Sequence, residues 1–96
     1  MIRHIVFFSA KDAADLDRIE AGLRLLEGIA TADRLEVRRN LRCDQLANDV
    51  DIVVYGEFAD PAALDAYKAD PAYARAIELV RPLRELRFAA DIESDG

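Results

Sequence analysis

Hydrophobic and polar residues alternate along several stretches of the chain with the two-residue period that is typical of strands. Residues 2–8 are mainly β-branched and aromatic, and residues 51–58 are the most hydrophobic stretch of this kind, so both are predicted to be strands. Apolar and polar residues alternate from 35 to 42 and again from 86 to 92, which predicts a half-buried second strand and a last strand. The polar residues 43–49 are expected to form a loop.

A helical period of three and four residues follows the first strand. Asp12 can cap this helix, which we expect to end near Gly28. Its apolar positions are Leu16, Ile19, Leu23 and Leu26.

Two Asp-Pro pairs, Asp60-Pro61 and Asp70-Pro71, predict two further helices near 61–68 and 71–81. Aspartate caps a helix, and proline is tolerated at the first helical position. Proline disfavours the helical conformation in the residue before it, so the earlier helix must end before Asp70. The order β-α-β-β-α-β, with its second helix broken, predicts an α+β, ferredoxin-like fold with a four-stranded antiparallel sheet.

The first and third predicted strands are apolar on both faces, which indicates that both faces of the sheet are covered. Right-handed connections place both helical segments on one side of such a sheet. A second copy of the chain, packed sheet to sheet, is the simplest cover for the other side. We therefore predict a homodimer, and the residues expected at its interface are Ile5, Phe7, Val53 and Tyr55.

Composition narrows the class of protein. A chain of 96 residues is expected to form one domain, 1–96, and its net charge of −6 disfavours binding to nucleic acid or to a membrane surface. One cysteine and one histidine cannot form an internal disulfide or a zinc cage. The longest apolar run is four residues, which predicts no transmembrane helix and no signal peptide, and hence a cytoplasmic protein. The sequence contains no glycine-rich loop and no metal-binding motif, so no cofactor is expected.

Residues 2–8 and, in their spacing, residues 29–41 resemble the stress-responsive A/B barrel (Dabb) family, in which residues 2–8 correspond to the first strand. The most specific stretch is Tyr67-Lys68-Ala69-Asp70-Pro71-Ala72-Tyr73, followed by Arg81-Pro82-Leu83 and Ala90-Asp91. The family pattern there is a tyrosine, two residues and His-Pro-x-His, then a Lys-Pro-Leu-like turn and a final Val-Asp-Tyr. The resemblance covers nearly the whole chain and implies a ferredoxin-like domain that dimerises into an α+β barrel.

The chain departs from the family pattern at a few positions. Ala30 and Thr31 stand where the family often has proline and glycine, and Arg38 replaces a usual glycine of the second strand. Asp70 and Tyr73 replace both histidines of the His-Pro-x-His motif.

The resemblance also implies candidate catalytic residues. In the family's few known enzymes, such as a plant polyketide cyclase that closes a C2–C7 aldol, a first-strand histidine works with the second motif histidine and a tyrosine. His4 and Tyr67 match that set and Tyr73 does not. His4 can act as a general base near neutral pH, and a tyrosine hydroxyl can polarise a carbonyl. Alternatively, His4 is a core histidine bonded to backbone or to a tyrosine, and the tyrosines fill core volume.

Two other features allow a functional and a plain interpretation. Arg34, Arg38 and Arg42 fall on one face of the second predicted strand, where they either bind an anion or protect an edge strand from aggregation. Cys43 is either a redox thiol beside Arg42 or an ordinary surface thiol.

Three functions remain open. The first is a stress-associated dimer that binds a small apolar or aromatic ligand without a cofactor. The second is a cofactor-free, polyketide-cyclase-like enzyme, and the third is a purely structural subunit. The enzyme requires a cavity of at least a few hundred cubic ångströms behind the first strand, the usual size of a small-molecule site. A filled core with His4 bonded to backbone would favour the structural subunit. The expected ligand-binding residues are Val6, Phe8, Val54 and Ile77.

Overall fold

The computed structural model of the chain describes residues 1–95. Within them, strands and helices follow the predicted order: β1 (Ile2–Ala10), α1 (Leu16–Arg24), β2 (Arg34–Arg39), β3 (Ile52–Phe58), α2 (Pro61–Ala69), α3 (Pro71–Val80) and β4 (Arg84–Glu93). The strands form one antiparallel sheet in the order β2-β3-β1-β4. The predicted α+β class and four-stranded antiparallel sheet are therefore confirmed.

The three predicted aspartate caps are present. The carboxylates of Asp12, Asp60 and Asp70 each accept a backbone N–H at 2.8–2.9 Å, which satisfies a donor that has no partner within its helix. The helix predicted from Asp12 to Gly28 is α-helical only in α1, and short 3₁₀ turns precede and follow it. The chain is extended at Asp70, between α2 and α3, as the following proline requires.

The helices cover one face of the sheet, and the core lies between them. Buried side chains on this face alternate along both central strands with less buried ones, as a strand that is covered on one side requires. The largest apolar side chains of this core are Phe8, Ile19, Leu23, Leu26, Ile29, Ile52, Phe58, Leu64 and Tyr67.

The second strand is shorter than predicted. It ends at Arg39, and Leu41, which we expected to lie in a half-buried strand, is 85% exposed. Arg42 has a φ of 56°, in the left-handed region, and its backbone N–H donates to the side chain of Asn40 at 2.9 Å. The backbone N–H of Asn40 still donates to the Asp51 carbonyl at 2.9 Å, and the chain leaves the sheet after Asn40, because the local side-chain bond competes with continued strand pairing. At the same end of the sheet, β1 is longer than predicted and reaches Ala10.

The second face of the sheet carries apolar side chains that no described element covers. We call it the open face. In the strand register, Phe7 lies between Val53 and Phe88, and Ile5 lies between Tyr55 and Ala90. Phe88 is 66% exposed and Ile92, on the same face of β4, is 49% exposed. The four predicted interface residues thus all lie on the open face, and their role in a dimer remains a prediction.

The covered face is closely packed around Gly56, which pairs with His4 in the strand register. A Cβ at Gly56 would lie 2.8 Å from the ring of Phe58 and 3.1 Å from Cδ2 of Leu35. Phe58 is fully buried, with its ring centroid 5.0 Å from that of Tyr67, so it has little room to move. We expect G56A to lower the free energy of unfolding by about 1–3 kcal/mol, measured by chemical denaturation.

The matched control is G28A. Nothing lies within 4 Å of a Cβ built at Gly28, and its φ is not positive. We expect this variant to be as stable as the wild type or slightly more stable, because alanine restricts the unfolded chain. Equal effects of the two substitutions would contradict the packing described for Gly56.

Candidate functional site

A half-open cavity of about 290 Å³ lies between the covered face of the sheet and the helices. All seven residues predicted for catalysis or ligand binding line it: His4, Val6, Phe8, Val54, Tyr67, Tyr73 and Ile77. The other lining residues are Leu23, Leu26, Ala76, Val80, Arg81, Arg84 and Arg87. The cavity lining thus combines apolar residues with one histidine, two tyrosines and three arginines, and the functional roles of these residues remain predictions.

His4 lies in the middle of β1 and is 2% exposed. Asp91 lies directly opposite on β4, and its Oδ1 forms a hydrogen bond with Nδ1 of the His4 ring. The Asp91 side chain is 41% exposed, so the carboxylate reaches the buried ring from the edge of the sheet. A carboxylate acceptor at Nδ1 favours the proton on that nitrogen and leaves Nε2 as the basic atom.

The second ring nitrogen of His4 is available to a ligand. Within residues 1–95, Nε2 forms no hydrogen bond, and it is not among the fully enclosed polar atoms. Because the ring borders the cavity, the arrangement can accept a proton from a bound molecule and hold the resulting imidazolium beside a carboxylate.

Asp91 was not among the residues predicted for the site. Its only signal was the pair Ala90-Asp91, which corresponds to the Val-Asp of the family's final motif. The plain interpretation of His4 was correct about burial, but its described partner is a carboxylate and not a backbone group or a tyrosine.

Tyr67 and Tyr73 meet across the break between α2 and α3. Their ring centroids are 5.4 Å apart, and the Tyr67 ring also lies 6.1 Å from the His4 ring. Burial raises the pKa of Tyr67 above its usual range, Tyr73 adds to the rise, and the charge of Arg87 opposes it. Tyr67 therefore stays protonated near neutral pH, and its hydroxyl can donate a hydrogen bond to a ligand.

The arginines at the cavity were not predicted either. Arg81 follows α3, and Arg84 and Arg87 lie on β4. Each member of the arginine stripe that the sequence did suggest contacts a carboxylate: Arg34 contacts Glu36, Arg38 contacts Glu27, and Arg42, which lies outside the strand, contacts Asp51. These contacts favour edge protection over anion binding for the stripe.

Other kinds of site have little support among the described residues. No group of three or more histidine, cysteine, aspartate or glutamate side chains there could hold a metal ion. No helix in that part of the chain is long and apolar enough to cross a membrane. Cys43 is exposed and lies outside the cavity.

Several solved structures are similar to this chain in fold. A Dabb family protein of ferredoxin-like fold from Mesorhizobium loti is 25% identical, with 99% of this chain and 97% of that chain covered and a TM-score of 0.83. A dimeric ferredoxin-like protein from Jannaschia sp. is 22% identical, with 97% and 98% covered and a TM-score of 0.85. An antibiotic biosynthesis monooxygenase is 17% identical, with both chains fully covered (100%) and a TM-score of 0.76.

The ferredoxin-like fold expected from the element order is therefore confirmed. No curated protein matched the sequence. The family profile described as the stress responsive A/B barrel domain matches residues 2–94, and the chain belongs to that family.

Proposed function

We propose that the chain binds a small molecule with an apolar or aromatic body in the cavity between the sheet and the helices. The observation that carries the proposal is the cavity itself, whose volume of about 290 Å³ is close to the lower end of the range for ligand sites. Apolar walls with a few convergent polar groups are typical of such sites. A purely structural subunit does not require a half-open cavity of this size.

A second candidate function is cofactor-free proton transfer on a carbonyl compound. The pairing of His4 with Asp91 favours it, because it leaves a basic nitrogen beside the cavity. In this reaction Nε2 of His4 removes a proton from the carbon next to the carbonyl, and the Asp91 carboxylate stabilises the imidazolium. The hydroxyl of Tyr67 or Tyr73 donates to the carbonyl oxygen as it becomes an enolate.

We also propose that the open face is the interface of a homodimer. Its exposed aromatic and aliphatic side chains form a continuous row across β3, β1 and β4, which in water favours association. The similar protein from Jannaschia sp. is described as dimeric, which supports this proposal. A single domain over 1–96 and a cytoplasmic location are further parts of the proposal, both based on sequence length and composition.

Filling the cavity should prevent binding. Ile77 lines the cavity on α3, and Leu79 lies on the same helix outside it, so I77W and L79W add the same bulk at different places. We expect 2-naphthol to shift the amide NMR signals of cavity residues in the wild type and in L79W, and to leave I77W unchanged. Binding to I77W with wild-type affinity, or to no form of the protein, would contradict the proposed cavity site.

Proton transfer should depend on the His4–Asp91 pair. With 2-acetylnaphthalene in D₂O, we expect wild-type protein to accelerate exchange of the methyl protons, measured by NMR. H4Q should remove at least about a hundredfold of this acceleration, the usual share of a general base. D91N should lower it strongly, because the amide no longer favours the basic Nε2. D65N, an exposed change on α2 with the same charge difference, should have no effect. If D91N and D65N behave alike, Asp91 has no catalytic part.

The dimer should dissociate when a charge is placed on the open face. Phe88 is largely exposed in one chain, so F88E leaves the core intact but would bury an unpaired carboxylate in the interface. By sedimentation at micromolar concentration, we expect a wild-type dimer and an F88E monomer that is still folded. L25E, on the outer surface of the helices, should remain dimeric. A monomeric wild type or a dimeric F88E would show that the open face is not the interface.

A further inference from the structure

The arginines of this chain divide into paired and unpaired groups. Seven of the eleven contact a carboxylate within 4.0 Å: Arg18, Arg24, Arg34, Arg38, Arg39, Arg42 and Arg75. Within residues 1–95, the remaining four have no carboxylate partner. One of them, Arg3, lies on the open face, and the other three are Arg81, Arg84 and Arg87 at the cavity.

Arginines without a carboxylate partner are unexpected in a protein whose net charge is negative. Acidic residues outnumber basic ones, 19 to 13, so carboxylates are abundant on the surface. Three arginines nevertheless line one cavity whose lining includes no aspartate or glutamate, and like charges around one cavity repel each other unless an anion binds between them. Because their residues are more exposed than His4 and Tyr67, they lie at the solvent end of the cavity, and the imidazole and the phenol lie at its inner end.

We propose that the ligand of this cavity is an organic carboxylate, whose anionic group is bound by Arg81, Arg84 and Arg87 while its apolar body reaches His4 and the tyrosines. This inference rests on the proposed binding function and specifies its ligand class. The planar guanidinium group presents several N–H donors in the geometry that a carboxylate accepts, often through two parallel bonds.

The electrostatic effect of Arg87 on the Tyr67 pKa is a second observation that supports the proposal. The charge of Arg87 opposes the rise in the Tyr67 pKa, so its field extends into the inner cavity. An anion bound at the arginines would therefore be held within reach of that field, and negative charge that develops near the Tyr67 hydroxyl would also be stabilised by it.

The test compares a carboxylate with a neutral ligand of nearly the same shape. Dissociation constants of 2-naphthoate and 2-naphthamide are measured by NMR titration at low and high salt. For the wild type we expect naphthoate to bind at least about tenfold more tightly than naphthamide, the usual effect of a charge-assisted hydrogen bond. The ratio should fall as salt is added, since part of the site is exposed.

Variants then assign the preference to the arginines. R84Q and R87Q should each reduce the ratio of the two constants severalfold, because each weakens naphthoate binding more than naphthamide binding. R75Q is the matched control, because it removes the same charge from α3. Arg75 contacts Glu78 at 3.1 Å and does not line the cavity. Its ratio should equal that of the wild type.

The outcomes separate this inference from the proposed function. If both ligands bind the wild type equally, the carboxylate preference is wrong and the cavity remains a binding site. If neither binds, the binding function fails, and the ligand class fails with it. If R75Q lowers the ratio as much as R84Q and R87Q do, the preference is an effect of net charge, and the arginines at the cavity do not select the ligand.

Discussion

The register of β1 between β3 and β4 is the constraint on which the other features of this molecule depend. Successive side chains of a strand point to opposite faces, so each residue of β1 belongs either to the cavity or to the open face. His4, Val6 and Phe8 point to the helices, and Ile5 and Phe7 point away from them. A slip of one residue against β4 would place Asp91 on the wrong face for His4 and would bring the open-face residues into the core.

The ionisable groups of the site differ in how deeply they are buried. The imidazole of His4 is enclosed, but its carboxylate partner, Asp91, lies on the edge strand with a side chain that is 41% exposed and so keeps part of its hydration. A fully buried ion pair would lose more hydration, and a histidine without a partner would have no fixed tautomer. Placing the arginines toward solvent follows the same physical rule, because guanidinium groups remain hydrated there until an anion replaces the water.

Local signals in the sequence were sufficient for most of the fold. The caps at Asp60 and Asp70 involve residues two or three positions apart, so the Asp-Pro pairs could define both helix starts. The end of β2 could not be predicted in this way, because the alternation continues to Arg42 while the bond to Asn40 turns the backbone out of the sheet. The outcome there depended on competition between two hydrogen-bonding patterns that the apolar period does not describe.

The site was predicted only as far as single strands and helices reveal it. Family resemblance and strand alternation located His4, whereas its partner lies 87 residues away and depends on the pairing of two strands. The three arginines were missed because Pro82 separates a helical from an extended segment, so no single period joins them.

The two faces of the sheet are also mechanically connected through β4. This edge strand presents Arg87 and Asp91 to the cavity side, and the residues that alternate with them, Phe88 and Ile92, to the open face. An edge strand has a neighbour on only one side, so its position is held less firmly than that of β1. Covering Phe88 and Ile92 with a second copy would restrain the same backbone that positions the carboxylate of Asp91. In the proposed dimer, association therefore contributes to the geometry of a site that it does not touch, because alternate residues of one strand serve both.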